Sequence, residues 1–146
     1  MLTLRITAAA CGLAMLAGSA HAHTIGGKNS LAVYEDAVIS TGPYATLAGG
    51  TITKAKRDTV LHFQATVTGI DTGVRATFAF DVNGVLITPS QTVNCTNAYG
   101  CSVTLAGFAG TDSKVNQPFS IGLKGKSATV ADGDVTAFLT VQMIRK

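Results

Sequence analysis

The chain has 146 residues and a mass of 14.9 kDa, with 11 Lys and Arg against 8 Asp and Glu. That is about one domain's worth of chain, and a formal net charge of +3 is too weak to argue for nucleic acid as a partner. Charged residues make up only 13%, and Thr, Ser, Asn and Gly supply the polarity in their place. The abundance of Thr, Val and Ile suits pleated, half-buried surfaces and points to an all-β domain.

Residues 1–22 read as a secretory signal peptide. Arg5 closes a short basic region, Ile6 to Ala17 is apolar, and Ala20-His21-Ala22 offers a small-x-small cleavage site. The expected product is a secreted or periplasmic protein cut near Ala22, with residues 23–146 forming a single domain. No later run approaches the roughly 18 apolar residues that a membrane-spanning helix needs, so no membrane span is expected. Cys11 leaves with the leader, so the mature chain keeps one pair, Cys95 and Cys101. In an oxidising compartment their default state is a disulfide.

Residues 23–30 are Gly-rich and polar and read as a loose leader. Leu31 to Ser40 has strand character and is broken by Thr41-Gly42-Pro43; Gly49-Gly50 then opens a short strand over Thr51 to Lys56. The clearest signal is Val60 to Thr68, where Leu61, Phe63, Ala65 and Val67 alternate with His62, Gln64, Thr66 and Thr68. A strict period of two means one dry face and one wet face. After a turn at Gly69 to Gly73, the residues Val74, Ala76, Phe78, Phe80 and Val82 repeat the stripe. Asn83-Gly84 predicts a type I′ hairpin that pairs this strand with Val85 to Ile87. Pro89 to Gly100 reads as loop, Cys101 to Leu105 as strand and Gly107 to Pro118 as polar connection. Phe119, Ile121 and Leu123 form another stripe, and a final strand runs from Val135 to Ile144 after the turn Ala131-Asp132-Gly133-Asp134. About seven to nine short strands between turn signals predict a two-sheet antiparallel β-sandwich, of Ig-like or jelly-roll connectivity, with one disulfide.

The best candidate for recognition is the stapled loop. Tyr99 and Asn97 lie inside the Cys95 to Cys101 ring, and Tyr44 follows Gly42-Pro43 in another loop. An amphipathic ring on a constrained loop binds at low entropic cost, so these residues are the candidate binding loop for a protein or glycan partner. Lys54, Lys56, Arg57 and the more distant Arg75 form a candidate basic patch for an anionic glycan or headgroup. Lys on a short strand equally guards a sheet edge.

His23, first after the cut, has an amine and an imidazole that together with His62 resemble the histidine brace of secreted copper proteins. The resemblance implies Cu(II) held by His23 and His62. Val135, Ala137, Leu139, Val141 and Met143, preceded by Gly133, look like the C-terminal strand of chaperone-usher pilus subunits, which implies self-assembly as a pilus or filament subunit. Asp71-Thr72-Gly73 matches the motif of retroviral-type aspartic proteases, although Asp71 sits between Gly69 and Gly73, where the pattern calls for a hairpin turn. Beyond His23, His62 is the only histidine left after the leader, Glu35 is the only glutamate, and no Gly-x-Ser-x-Gly elbow occurs. With no catalytic set in view, the sequence reads as a non-catalytic binding or surface-assembly protein rather than an enzyme.

Overall fold

The computed structural model describes residues 23–27, 30–53, 59–110 and 118–145. The proposed leader lies outside them. The described residues form β1 (His23–Gly27), β2 (Ser30–Ile39), β3 (Ala45–Thr53), β4 (Thr59–Ile70), β5 (Arg75–Val82), β6 (Val85–Asn94), β7 (Cys101–Gly110), β8 (Pro118–Ser127) and β9 (Asp132–Arg145). They make two antiparallel sheets, β1-β2-β9-β4-β7 and β3-β8-β5-β6. The chain is thus an all-β sandwich with one disulfide, Cys95–Cys101.

The connectivity settles between the two expected topologies. β2 pairs with β9, β3 with β8, β4 with β7 and β5 with β6, so the pairs nest like one long folded hairpin. Successive pairs fall in alternate sheets. That is the jelly-roll arrangement of two Greek keys, with β1 added to the outer edge of β2. β9 lies inside its sheet, hydrogen-bonded to β2 on one side and β4 on the other.

The period-two stripes close face to face. Leu61, Phe63, Ala65 and Val67 of β4 and Val135, Ala137, Leu139 and Val141 of β9 are buried against Phe78 and Phe80 of β5 and Ile121 and Leu123 of β8. Phe63 and Phe80 stack across the two sheets, with ring centroids 5.0 Å apart. The core is filled closely enough that small residues hold places in it. A Cβ on Gly125 would lie 2.6 Å from Leu47 Cδ1 and 3.2 Å from Phe78 Cδ1.

Several boundaries differ from the sequence expectation, among them the expected turn Ala131 to Asp134, where β9 already opens at Asp132. The segment 23–30, expected to be loose, includes β1, because an edge strand needs only a partner's free hydrogen bonds and no apolar stripe of its own. β3 begins at Ala45 and ends at Thr53, so the strand lies mostly before Thr51. β6 continues through Pro89 to Asn94: it is an edge strand, where proline is tolerated, and its register shifts between Phe78 and Phe80 of the partner β5. β7 runs on from Leu105 to Gly110 because β4 keeps pairing with it as far as Val60 opposite Gly110, and Gly107 leaves room for Phe80, from which a Cβ would lie 3.2 Å.

Two substitutions test this packing. Phe63→Ala is expected to cost about 3 to 5 kcal/mol, and Gly125→Ala about 1 to 3 kcal/mol through overpacking, both read from urea unfolding midpoints at constant slope.

Candidate functional site

The loops gather at the two ends of the sandwich. At one end lie the segments around Thr41, Thr72, Asn97 and Thr129, and backbone bonds tie them together: Ser127 N–H donates to Ser40 O, Ala128 N–H to Arg75 O, and Gly73 N–H to Cys95 O at 2.8 Å. Asp132, only 2% exposed, uses Oδ2 to accept the Asp71 N–H at 2.8 Å. Asp71-Thr72-Gly73 is therefore a turn between the two sheets, locked by the carboxylate that opens β9. Thr129 Oγ1 donates to Gly73 O and accepts from Arg75 N–H, which fastens the same turn from the other side.

The stapled loop rises from this base. Cys95 is fully buried, and its N–H donates to Val74 O at 2.9 Å. Asn97 organises the tip: its Oδ1 accepts the Tyr99 N–H at 3.0 Å, and its carbonyl accepts the Gly100 N–H at 3.1 Å and the Thr72 hydroxyl. Gly100 has φ +82°, a conformation that L side chains rarely adopt, and a Cβ there would lie 3.0 Å from Ile70 O. A side chain on Gly100 would thus break the loop twice over. The result is a fixed loop whose Tyr99 side chain is 99% exposed.

The other expected site residues are dispersed. Tyr44 precedes β3 at the same end, but β3 and β6 are the two edges of their sheet, three interstrand spacings or about 14 Å apart. Its ring is half-buried beneath the Lys126 ammonium, with Nζ 4.6 Å from the centroid. Arg75 stands exposed at the loop end, where its strand pairs with Asn94. Lys54, Lys56 and Arg57 lie outside the described residues, and the residues that bracket them, Thr53 and Thr59, belong to the far end of the sandwich from Arg75.

His62 and His23 are also apart. His62 projects from the outer face of β4 and stacks on Phe108, with centroids 4.6 Å apart. His23 pairs with Tyr34 on edge strand β1. β2 and β9 intervene between their strands, and the registers offset them by four residues. Their backbones are therefore on the order of 20 Å apart, whereas a brace needs both imidazoles on one ion. Among the described residues, no group of three or more His, Cys, Asp or Glu side chains lies close enough to hold a metal.

A second feature was not read from the sequence. A cleft of about 250 Å³ opens over β3, β8 and β5, lined among others by Glu35, Thr46, Gly49, Asp81, Gly122 and Lys124. Lys124 Nζ donates to Thr46 Oγ1 at 2.7 Å, and Asp81, 6% exposed, accepts the Gly84 N–H on Oδ1 at 3.2 Å. Burial pushes the Glu35 carboxyl above its ordinary value of 4.5, against the pull of the Gly49 N–H that it accepts. The legible signal was glycine inside strands, which marks a bulge or a close approach of backbone or ligand.

No protein-family model matches the sequence, and no curated protein matches it. Among solved structures, the chain is 15% identical to the CBM22-1 xylan-binding domain of Xyn10C from Paenibacillus barcinonensis, at a TM-score of 0.43 over 88% of this chain and 84% of that one. It is 16% identical to a CBM4 structure, at a TM-score of 0.39 over 88% and 81%. Latent PorU from Porphyromonas gingivalis gives 17% identity and a TM-score of 0.32, over 85% of this chain and 11% of that one. These are distant likenesses of architecture. Among the described residues, no helix is long and apolar enough to cross a membrane.

The direction at Glu35 carries a pH dependence. The folded state holds this proton more tightly than the unfolded chain does. Its contribution to stability is therefore fully present below pH 4.5 and is lost as pH rises through the raised folded value. Glu35→Gln, whose amide oxygen still accepts from Gly49, should unfold at higher urea than the parent at neutral pH, with the gap closing below the ordinary glutamate value. A gap constant across pH would show that Glu35 titrates as it does in the unfolded chain.

Proposed function

We propose that the chain is a secreted or periplasmic, non-catalytic β-sandwich that binds an extracytoplasmic partner, protein or glycan, through the loop end that carries Tyr99. The observation that carries this reading is the pairing of a rigid backbone with an exposed aromatic. The Asn97 bonds, the disulfide and Gly100 fix the loop before any partner arrives, while the Tyr99 side chain remains 99% exposed. A preorganised aromatic offers contact area without the ordering cost that a mobile loop incurs on binding. Arg75 is exposed at the same end of the sandwich and adds a positive charge there.

The compartment is part of the same proposal. The leader pattern of residues 1–22 and the Cys95–Cys101 disulfide are mutually consistent, because disulfides persist outside the reducing cytosol. The intact mass of protein recovered from the extracytoplasmic fraction should match a chain that begins at His23 and holds no free thiol.

Tyr99→Ala tests the site. A fully exposed side chain contributes little to folding, so the urea midpoint should stay within about 0.5 kcal/mol of the parent. Retention of the labelled protein by envelope and extracellular-matrix fractions of its own cells, titrated to saturation, should weaken by about tenfold or more. Equal retention of parent and variant would remove Tyr99 from the binding surface.

A further inference from the structure

The cleft on the β3-β8-β5 face is built from three rows that the register defines. Thr46 lies opposite Lys124, and Lys124 opposite Ala79. Next comes Gly49 opposite Gly122, and Gly122 opposite Asp81. Thr51 opposite Ser120 closes the third row. The middle row therefore begins with two residues that have no side chain. Its floor is bare backbone, and its walls are hydroxyls and an ammonium.

The local sequence makes this shape. A bulge between Thr46 and Ala48 turns both Leu47 and Ala48 into the core, which returns Thr46 to the outer face beside Lys124. Side chains at Gly49 and Gly122 would crowd the neighbouring strand: their Cβ atoms would lie 3.0 Å from Ile121 O and 3.3 Å from Ala48 O. The two glycines thus allow a close strand approach and leave the floor open at once. Asn83 holds the far wall, with its Oδ1 accepting the Ser120 N–H at 2.9 Å and its own N–H donating to Ser120 O at 2.7 Å.

Carboxylates stand at both ends of the middle row. Asp81 is on β5, and Glu35 reaches from β2 across the edge of β3 to the Gly49 N–H. Two interstrand spacings, about 10 Å, separate Gly49 from Asp81. A carboxylate at 6% exposure that takes one hydrogen bond from a backbone amide retains acceptor capacity, since two oxygens offer about four lone-pair sites. Lys124 likewise holds donors beyond the one given to Thr46.

We propose that this cleft is a binding site for a single neutral sugar unit or a polyol of similar size. Converging acceptors at both ends, an ammonium and hydroxyls on the walls, and a floor of peptide backbone match a ligand whose every edge both donates and accepts hydrogen bonds. The volume of about 250 Å³ suits one ring rather than an extended chain. An anion would face two acidic residues across the floor. A lone metal ion would find the carboxylates at opposite ends. The site rests on the reading of the chain as a binding module, but it lies on a sheet face, away from the Tyr99 loop.

The test is an amide NMR titration of the whole oxidised protein with a panel of neutral hexoses, pentoses and their methyl glycosides at millimolar concentration, with methylamine and Ca²⁺ as separate arms. The expected result is saturable movement of the Gly49, Gly50 and Gly122 amides with at least one sugar. Both Asp81→Asn and the less buried Lys124→Ala should weaken that response about tenfold. The proposal is overturned if no sugar moves these amides, if both cleft variants respond like the parent, or if only methylamine or Ca²⁺ does so. Should the sugars fail while Tyr99-dependent retention persists, the cleft proposal falls and the binding-module reading stands; should both fail, the reading falls with it.

Discussion

Side-chain parity is the constraint on which the rest of this molecule depends. Two sheets packed face to face accept apolar side chains from alternate residues only, so each buried position fixes the outward direction of its neighbours. Placing Leu61, Phe63, Ala65 and Val67 in the core of itself puts His62, Gln64, Thr66 and Thr68 outside. The same parity on β8 sends Phe119, Ile121 and Leu123 inward and leaves Ser120, Gly122 and Lys124 to form the wall and floor of the cleft. Where the chain departs from parity it uses a bulge, as at Leu47 and Ala48, and the departure coincides with the cleft.

The fold class was legible because this constraint writes itself into the sequence as a period of two. The hairpin at Asn83-Gly84 was legible for a different reason: Asn83 at φ 51° and Gly84 at φ 83° occupy the region that a type I′ turn demands. Less visible were the strands that carry no stripe. β1 and the second half of β6 are edge segments held by backbone bonds, and neither Gly26-Gly27 nor Pro89 advertises pairing. Connectivity was invisible too, since nesting of hairpins depends on which stripes meet and not on the stripes themselves.

The candidate sites divide along the same line. The Cys95–Cys101 loop could be read because its determinants are local, with the staple, Asn97 and Gly100 all within seven residues. The cleft could not, because its lining comes from β2, β3, β5 and β8, which only the jelly roll brings together. His23 and His62 illustrate the converse, two residues of suitable chemistry set on strands that the topology separates. Asp132 illustrates how a turn residue in sequence becomes a buried clamp in three dimensions, holding the Asp71 turn at the foot of the Tyr99 loop.

The proposed recognition by Tyr99 requires a loop as rigid as the sandwich beneath it, and the backbone order parameters of the oxidised protein report this directly. The Tyr99 and Gly100 amides are expected to match those of β4 and β9, with values of about 0.85. Values below about 0.6 at these two amides would mean that the loop is mobile on the fast timescale. In that case the hydrogen bonds around Asn97 would not hold the loop in advance of its partner, and the central claim would be contradicted.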